Sequence, residues 1–201
     1  GMLGGALALN TVIDEDRRLS FVSYGEVVAS HLRAVEHVRR YAEVPVPRKF
    51  STVLTSAAGY PLDRTYYQTV KGMVAPMDIL APGGDLIIAS ACDEGMGSAH
   101  FVEAQRQLLE LGPDGFLQAI MAKSHAAIDE WQTQMQLKPM QVGAIHLYSD
   151  GLDPALRPLT GVNRVDSVAT AVAASLARHG ERSLAVVPEG PYVVPFHRPG
   201  D

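Results

Sequence analysis

Residues 50–72, "FSTVLTSAAGYPLDRTYYQTVKG", decide how this chain folds. "FSTVLTSA" has the β-branched and small residues of a buried strand. Gly59-Tyr60-Pro61 then breaks it, because glycine admits positive φ and proline stiffens a turn. Asp63 stands where it can cap a helix running to about Val74, and Pro76 ends or kinks that helix. The run raises a chemical question as well as a structural one. A helix N-terminus offers unpaired N–H groups and partial positive charge to a carboxylate or phosphate.

Downstream the alternation repeats. "APGG" (81–84) reads as a turn and "DLIIASA" (85–91) as an apolar strand. "CDEGMGS" is a glycine-bearing loop whose Ser98 can cap "AHFVEAQRQLLEL". Residues 112–136 read as one or two helices, with Pro113 suited to a first helical turn. "VGAIHLYS" (142–149) is a strand, "DGLDPALRPLTG" a loop, and residues 166–180 a helix with basic residues at its end. "RSLAVVPEG" (182–190) is a further strand, followed by a proline-rich tail. Strands alternating with helices imply an α/β fold, a parallel or mixed sheet with helices on both faces. Ligands of such sheets bind beyond the carboxyl ends of the strands. Here those ends are the loops 58–63, 93–97, 149–153 and 189–192.

Upstream, "LALNTVID" and "RRLSFVSY" read as a strand pair around Asp14-Glu15-Asp16. A helix follows, with Val28, Leu32, Val35 and Val38 at helical spacing and Arg33, Glu36, Arg39 and Arg40 on its polar side. "VPVPRK" (44–49) is a connector. The expected organisation is a strand pair, helix and linker over 1–48 and an α/β lobe over 49–201. Strand-like sequence begins almost at once after Gly1-Met2, as it would in a piece cut from a longer protein.

The 201 residues are 47% hydrophobic and 19% charged, ample for a buried core. A net charge of −5 argues against nucleic acid or an anionic membrane surface as partner. No apolar run approaches the roughly 18–20 residues a membrane helix needs. The single Cys92 makes no internal disulfide, which suits a reducing cytoplasm.

Gln68 and Lys71 are i,i+3 neighbours, and Tyr67 and Lys71 are i,i+4 neighbours, so the three share a helix face. An ammonium beside an amide and a phenol suits a small hydroxy acid: the cation pairs with the carboxylate and the others bond the remaining oxygens. The bland alternative is a solvated lysine above a packing tyrosine. "DEGMG" offers Glu94 between turn glycines but lacks the length and lysine of a P-loop. A phosphate site over Glu94–Ser98 is a separate reading. Cys92, Asp93, Glu94 and His100 lack metal-ligand spacing. His125, after Lys123-Ser124, is a candidate ligand group. His146 lies inside a strand and reads as a satisfied core histidine, and His179 as a helix-end cation.

The motif Gly59-Tyr60-Pro61-Leu62-Asp63 followed by Tyr67-Gln68-x-x-Lys71 resembles the C-terminal lobe of the nickel-dependent lactate racemase family. "GGDLIIASACDEGMG", "KSHAA" and "VVPEGPYVVP" resemble further family segments in the family's order, and residues 8–36 resemble its linking strand pair and helix. The resemblance implies interconversion of D- and L-2-hydroxy acids, with hydride passed to a nickel pincer nucleotide. It implies Lys71 and Gln68 as catalytic residues. Tyr67, Gly59, Tyr60, Asp63, Glu94 and His125 would line the substrate. The cofactor-tethering lysine and the nickel-ligand histidine belong to an N-terminal lobe with no counterpart here. The chain alone is therefore expected to hold no cofactor and to give no turnover. Ala58 departs from the family's glycine pair. The rival class is a non-catalytic module that binds small anions or mediates assembly.

Overall fold

The computed structural model describes residues 5–199. They form two compact units that divide between Val44 and Pro45. In the first, strands β1 (Leu7–Ile13) and β2 (Leu19–Glu26) pair antiparallel, and helix α1 (Val27–Ala42) follows. Glu26 caps α1 by accepting from the Val28 and Ala29 N–H groups, 3.2 and 2.9 Å away. The expected apolar stripe of α1 is not what it buries. Ser30 and Ala34 face inward, while Val28 and Leu32 stay 59% and 58% exposed.

The second unit is built on five parallel strands: β4 (Phe50–Ser56), β5 (Leu80–Ala89), β6 (Ala144–Tyr148), β7 (Asn163–Arg164) and β8 (Ala185–Val187). Their order is β7-β6-β5-β4-β8. Strand β3 (Glu43–Val46) precedes β4, and β9 (Val194–His197) forms a small sheet with it, where the Val46 carbonyl accepts from the Arg198 N–H at 2.9 Å. The helices are α2 (Tyr66–Val74), α3 (Ala99–Met121), α4 (Glu130–Val142) and α5 (Val168–His179).

The two faces of this sheet differ in chemistry, as the alternation of β side chains allows. Val53, Leu86, Ile88, Ile145 and Leu147 form one apolar core with Tyr66, Val70 and Met73 of α2 and Phe101 of α3. Gly72 lets α2 lie directly on β4, since a Cβ there would meet the Ser56 carbonyl oxygen at 2.6 Å. The opposite face carries Thr52, Asp85 and His146 against α5. Ser175 Oγ donates to Asp85 at 2.7 Å, and Arg178 bonds both carboxylate oxygens at 2.8 and 2.9 Å. His146 and His179 place Nε2 at 2.8 and 3.1 Å from the same carboxylate. His146 is thus a satisfied interior histidine, as its strand position implies.

Three local expectations are corrected. Residues 81–84 are not a separate turn but a bulge inside β5: Phe50 pairs with Leu80 and Thr52 with Asp85, so the extra residues loop out and Gly83 takes φ +76°. Only Ala185–Val187 of the strand expected over 182–190 forms ladder pairs, and the proline-rich tail contributes β9. Residues 112–136 supply parts of two helices: α3 is broken at Gly112 (φ +70°) ahead of Pro113, and α4 starts at Glu130.

Candidate functional site

The carboxyl ends of β4 and β5 lead into loops that meet the start of α2. Gly59 has φ +70°, the conformation that the Gly-Tyr-Pro turn requires. Asp63 is not the helix cap. It lies in a 3₁₀ turn, Leu62–Arg64, and its Oδ2 accepts from the Ala91 N–H at 3.3 Å. Thr65 is the cap, its hydroxyl accepting from the Gln68 N–H at 3.4 Å, so Tyr67 and Gln68 fall in the first turn of α2.

The N–H groups that a helix start would present to an anion are already bonded. Tyr66 donates to the Gly95 carbonyl at 2.9 Å, Tyr67 to the Met96 carbonyl at 3.0 Å, and Gln68 to the Thr65 carbonyl at 3.1 Å. Any anion here is recognised by side chains. The same bonds occupy the Glu94–Ser98 loop. Its Glu94 and Gly95 N–H groups bond the Arg64 and Cys92 carbonyls at 2.8 and 3.0 Å, and Ser98 caps α3 through the Phe101 N–H. It is a structural collar around α2 rather than a phosphate cradle.

Tyr67 is the centre of the cluster. Lys71 Nζ lies 5.9 Å from its ring centroid, within cation–π range. Trp131 packs edge-on at 6.2 Å and Phe101 at 5.2 Å. The phenol donates to Asp129 Oδ1 at 3.4 Å, and Ser98 Oγ donates to Asp129 Oδ2 at 2.5 Å. Gln132 Nε2 holds the Tyr67 carbonyl at 2.6 Å. Burial first, then the Asp129 carboxylate, push the Tyr67 phenol above its ordinary value, so it stays a donor at neutral pH. Lys71 is exposed, and Gln68 Oε1 is buried with no hydrogen-bond partner. An ammonium and an unspent amide oxygen thus stand on one helix face.

The other expected site residues are arranged differently. Tyr60 is 80% exposed with Arg64 5.6 Å from its ring centroid, and Glu94 is ion-paired to Arg64 at 2.8 Å. Both serve the loop around Arg64. Exposed His125 lies between α3 and α4, where Nδ1 bonds Ser124 Oγ at 2.9 Å. Sequence reasoning missed Trp131 and Asp129. Trp131 is the chain's one tryptophan, a signal the sequence carries, and the structure leaves it 49% exposed. Asp129 at φ +61° gave none.

Gly97 packs closely on Tyr67: a Cβ there would lie 2.8 Å from Tyr67 Cβ, at φ +112°. Gly97→Ala is expected to cost about 1–3 kcal/mol through strain and overpacking. It should also shift the Tyr67 and Trp131 ring resonances, and unchanged ring shifts would refute that geometry.

Among the described residues no group of three His, Cys, Asp or Glu side chains is placed to hold a metal ion, and no helix is long and apolar enough to cross a membrane. The donors among the described residues do not fit a nickel centre.

Comparison with known proteins agrees with the architecture. The family described as lactate racemase C-terminal domain matches residues 47–194. The lactate racemase of Lactiplantibacillus plantarum is 28% identical over 188 residues, 92% of this chain and 44% of the relative. That of Thermoanaerobacterium thermosaccharolyticum is 32% identical over 132 residues, 65% of this chain and 30% of the relative. The structure of the lactate racemase apoprotein from the latter organism superposes with TM-score 0.83 at 25% identity, over 94% of this chain and 46% of that one. A Thermotoga maritima protein shares the fold, with TM-score 0.57 at 12% identity. The chain spans less than half the length of the curated relatives it matches. The chain belongs to the lactate racemase C-terminal domain family.

Proposed function

We propose that this chain is the substrate-facing lobe of a lactate-racemase-like racemase or epimerase of 2-hydroxy acids. The observation that carries this reading is the pairing of exposed Lys71 with the unpartnered Gln68 Oε1 beside the Tyr67 ring. Lys71 pairs with the substrate carboxylate. Gln68, whose buried amide oxygen has no partner, turns that oxygen toward the substrate hydroxyl and accepts from it. Tyr67 packs along the carbon skeleton, and the bonds from Ser98 and Gln132 to its surroundings fix its ring. Gly59, Tyr60, Asp63 and Glu94 shape the loop in front of α2, and His125 lies on the connection that leads to Asp129. When bound in the whole enzyme, a nickel pincer nucleotide would supply the hydride-accepting chemistry. Its holder would be the part of the longer relatives that this chain does not span. The role of this chain is confined to binding and orienting.

Titration of ¹⁵N-labelled chain with D-lactate, L-lactate and larger hydroxy acids tests this. Binding at about 1 mM is expected for half a site, equivalent to about 4 kcal/mol. Shifts should centre on residues 67–71, and Lys71→Ala should weaken them at least tenfold while leaving the fold intact. Shifts centred elsewhere, or unchanged in Lys71→Ala, would remove the reading.

A further inference from the structure

A pocket lies on the β6–β7 side of the sheet, where Leu147 of β6 and Asn163 and Arg164 of β7 meet the 3₁₀ turn Arg157–Thr160. It measures about 240 Å³, part of it open to solvent. That is less than the roughly 300–1,000 Å³ of a drug-sized site, so it suits a small molecule. Its floor is apolar: Leu147 and Leu152 are 5% and 1% exposed, and Val162 packs against the same core.

The polar wall carries an unspent charge. Arg157 is half-buried, and its Nε donates to the Leu152 carbonyl at 3.0 Å, which pins the guanidinium at the pocket. Among the described residues neither terminal nitrogen of Arg157 has a hydrogen bond or a carboxylate partner. Its neighbour Arg164 is paired with Asp166, as Arg64 is with Glu94 and Arg178 with Asp85. Asn163 stands exposed at the rim. The backbone around the pocket is already used. The Leu152 N–H bonds Ser149 Oγ at 3.2 Å, and the Leu156, Gly161 and Val165 N–H groups bond the Asp153, Pro158 and Leu147 carbonyls at 2.9, 3.3 and 3.0 Å. No nest of free N–H groups is left to hold a dianion. One guanidinium above an apolar floor matches a monoanion with a planar two-oxygen head and a short apolar tail. The turn is also preformed, which lowers the cost of binding. Thr160 Oγ1 donates to the Arg157 carbonyl at 2.7 Å, and the Thr160 carbonyl accepts from the Tyr66 phenol and Gln136 Nε2 at 2.9 and 2.8 Å.

We propose that this pocket is a separate site for a small monocarboxylate, held end-on by the terminal nitrogens of Arg157 with its apolar end against Leu147, Leu152 and Val162. It involves no residue of the Tyr67–Lys71 face and does not rest on the reading of that face.

The test titrates ¹⁵N-labelled chain with formate, propionate and inorganic phosphate at constant ionic strength, following the Arg157 Nε–H resonance and the amides of residues 147–164. Saturating shifts should centre there, with propionate binding at least threefold tighter than formate and phosphate weakest. Arg157→Lys keeps the charge but loses the planar fork, and should weaken propionate at least tenfold. Asn163→Asp serves in case Arg157→Lys loosens the turn. It changes an exposed side chain to one of the same shape, so the thermal midpoint should hold while the added negative charge weakens propionate at least threefold. Shifts that stay linear with concentration, or that chloride reproduces, would make Arg157 a solvated cation and overturn the proposal. Phosphate binding tighter than propionate would overturn the carboxylate class. Because Tyr66 bonds Thr160, a ligand on the α2 face would also move these amides. Lys71→Ala should therefore leave the propionate shifts in place, and their loss in that variant would assign them to α2 and overturn the separate site.

Discussion

Asp85→Ala is expected to lower the stability of the sheet unit by about 3–5 kcal/mol, the range for removing one partner of a buried ion pair. The Asp85 side chain is 2% exposed, and four groups converge on it: Ser175, Arg178, His146 and His179. Removing it leaves those donors facing an apolar gap and unfastens α5, in which only Ser175 is fully buried. The fall in Tm should be on the order of 10 °C for a unit of this size. A denaturant midpoint giving a loss under about 1 kcal/mol would show that the cluster contributes little net stability, as some buried pairs do. Acid unfolding gives a second measurement. Burial by itself would raise the Asp85 pKa, but the bonds from Ser175 and His146 and the charge of Arg178 outweigh it and hold it below its ordinary 3.8. A depressed carboxylate contributes stability that is present above its unfolded value and is lost as pH falls through the folded one. The loss should therefore begin near pH 4 and deepen below it, and Asp85→Asn should flatten that part of the curve.

Gly72→Val should be nearly as damaging, about 3 kcal/mol, and it couples stability to the candidate site. The new Cβ would meet the Ser56 carbonyl oxygen at 2.6 Å and Ile88 Cδ1 at 3.1 Å. Neither the β4 backbone nor the core can yield without moving α2, and overpacking of this kind costs about 1–3 kcal/mol before the added β-branch is counted. Gly190 packs against the same Ser56 oxygen from the other side, its Cβ position also 2.6 Å away, so the shift has no slack to enter. Because α2 carries Tyr67, Gln68 and Lys71, amide shifts should spread along residues 66–74 and hydroxy-acid binding should fall with them. Wild-type stability with unchanged α2 shifts would mean that the helix does not bear on β4 as closely as this geometry requires.

Much of the fold was legible because its signals are local. The buried run at Phe50–Ser56, the Gly59 turn, Ser98 as a cap and Pro113 at a helical restart each follow from one residue's backbone preference or from β-branched periodicity. The bulge at 81–84 was read as a turn because glycine pairs serve both, and only the pairing of Phe50 with Leu80 and Thr52 with Asp85 distinguishes them. The sequence points to Asp63 as the helix cap where the structure uses Thr65, because both are good caps, and the choice is made by Ala91, a residue 28 positions from Asp63. The face shared by Tyr67, Gln68 and Lys71 needed only helical spacing. The fate of the helix N–H groups did not follow, since their acceptors are carbonyls of residues 95–96.

By itself, then, the sequence determined the alternation of strands and helices, the glycine turn after β4 and the common face of Tyr67, Gln68 and Lys71, because these depend on contacts within a few residues. Tertiary structure alone decided that the start of α2 is closed to anions and that Trp131 and Asp129 flank Tyr67. It likewise decided that Asp85 fastens α5 and that Arg157 is pinned by the Leu152 carbonyl at the wall of a pocket. Each of those depends on which distant backbone or side chain arrives at a given atom, and no local propensity encodes that.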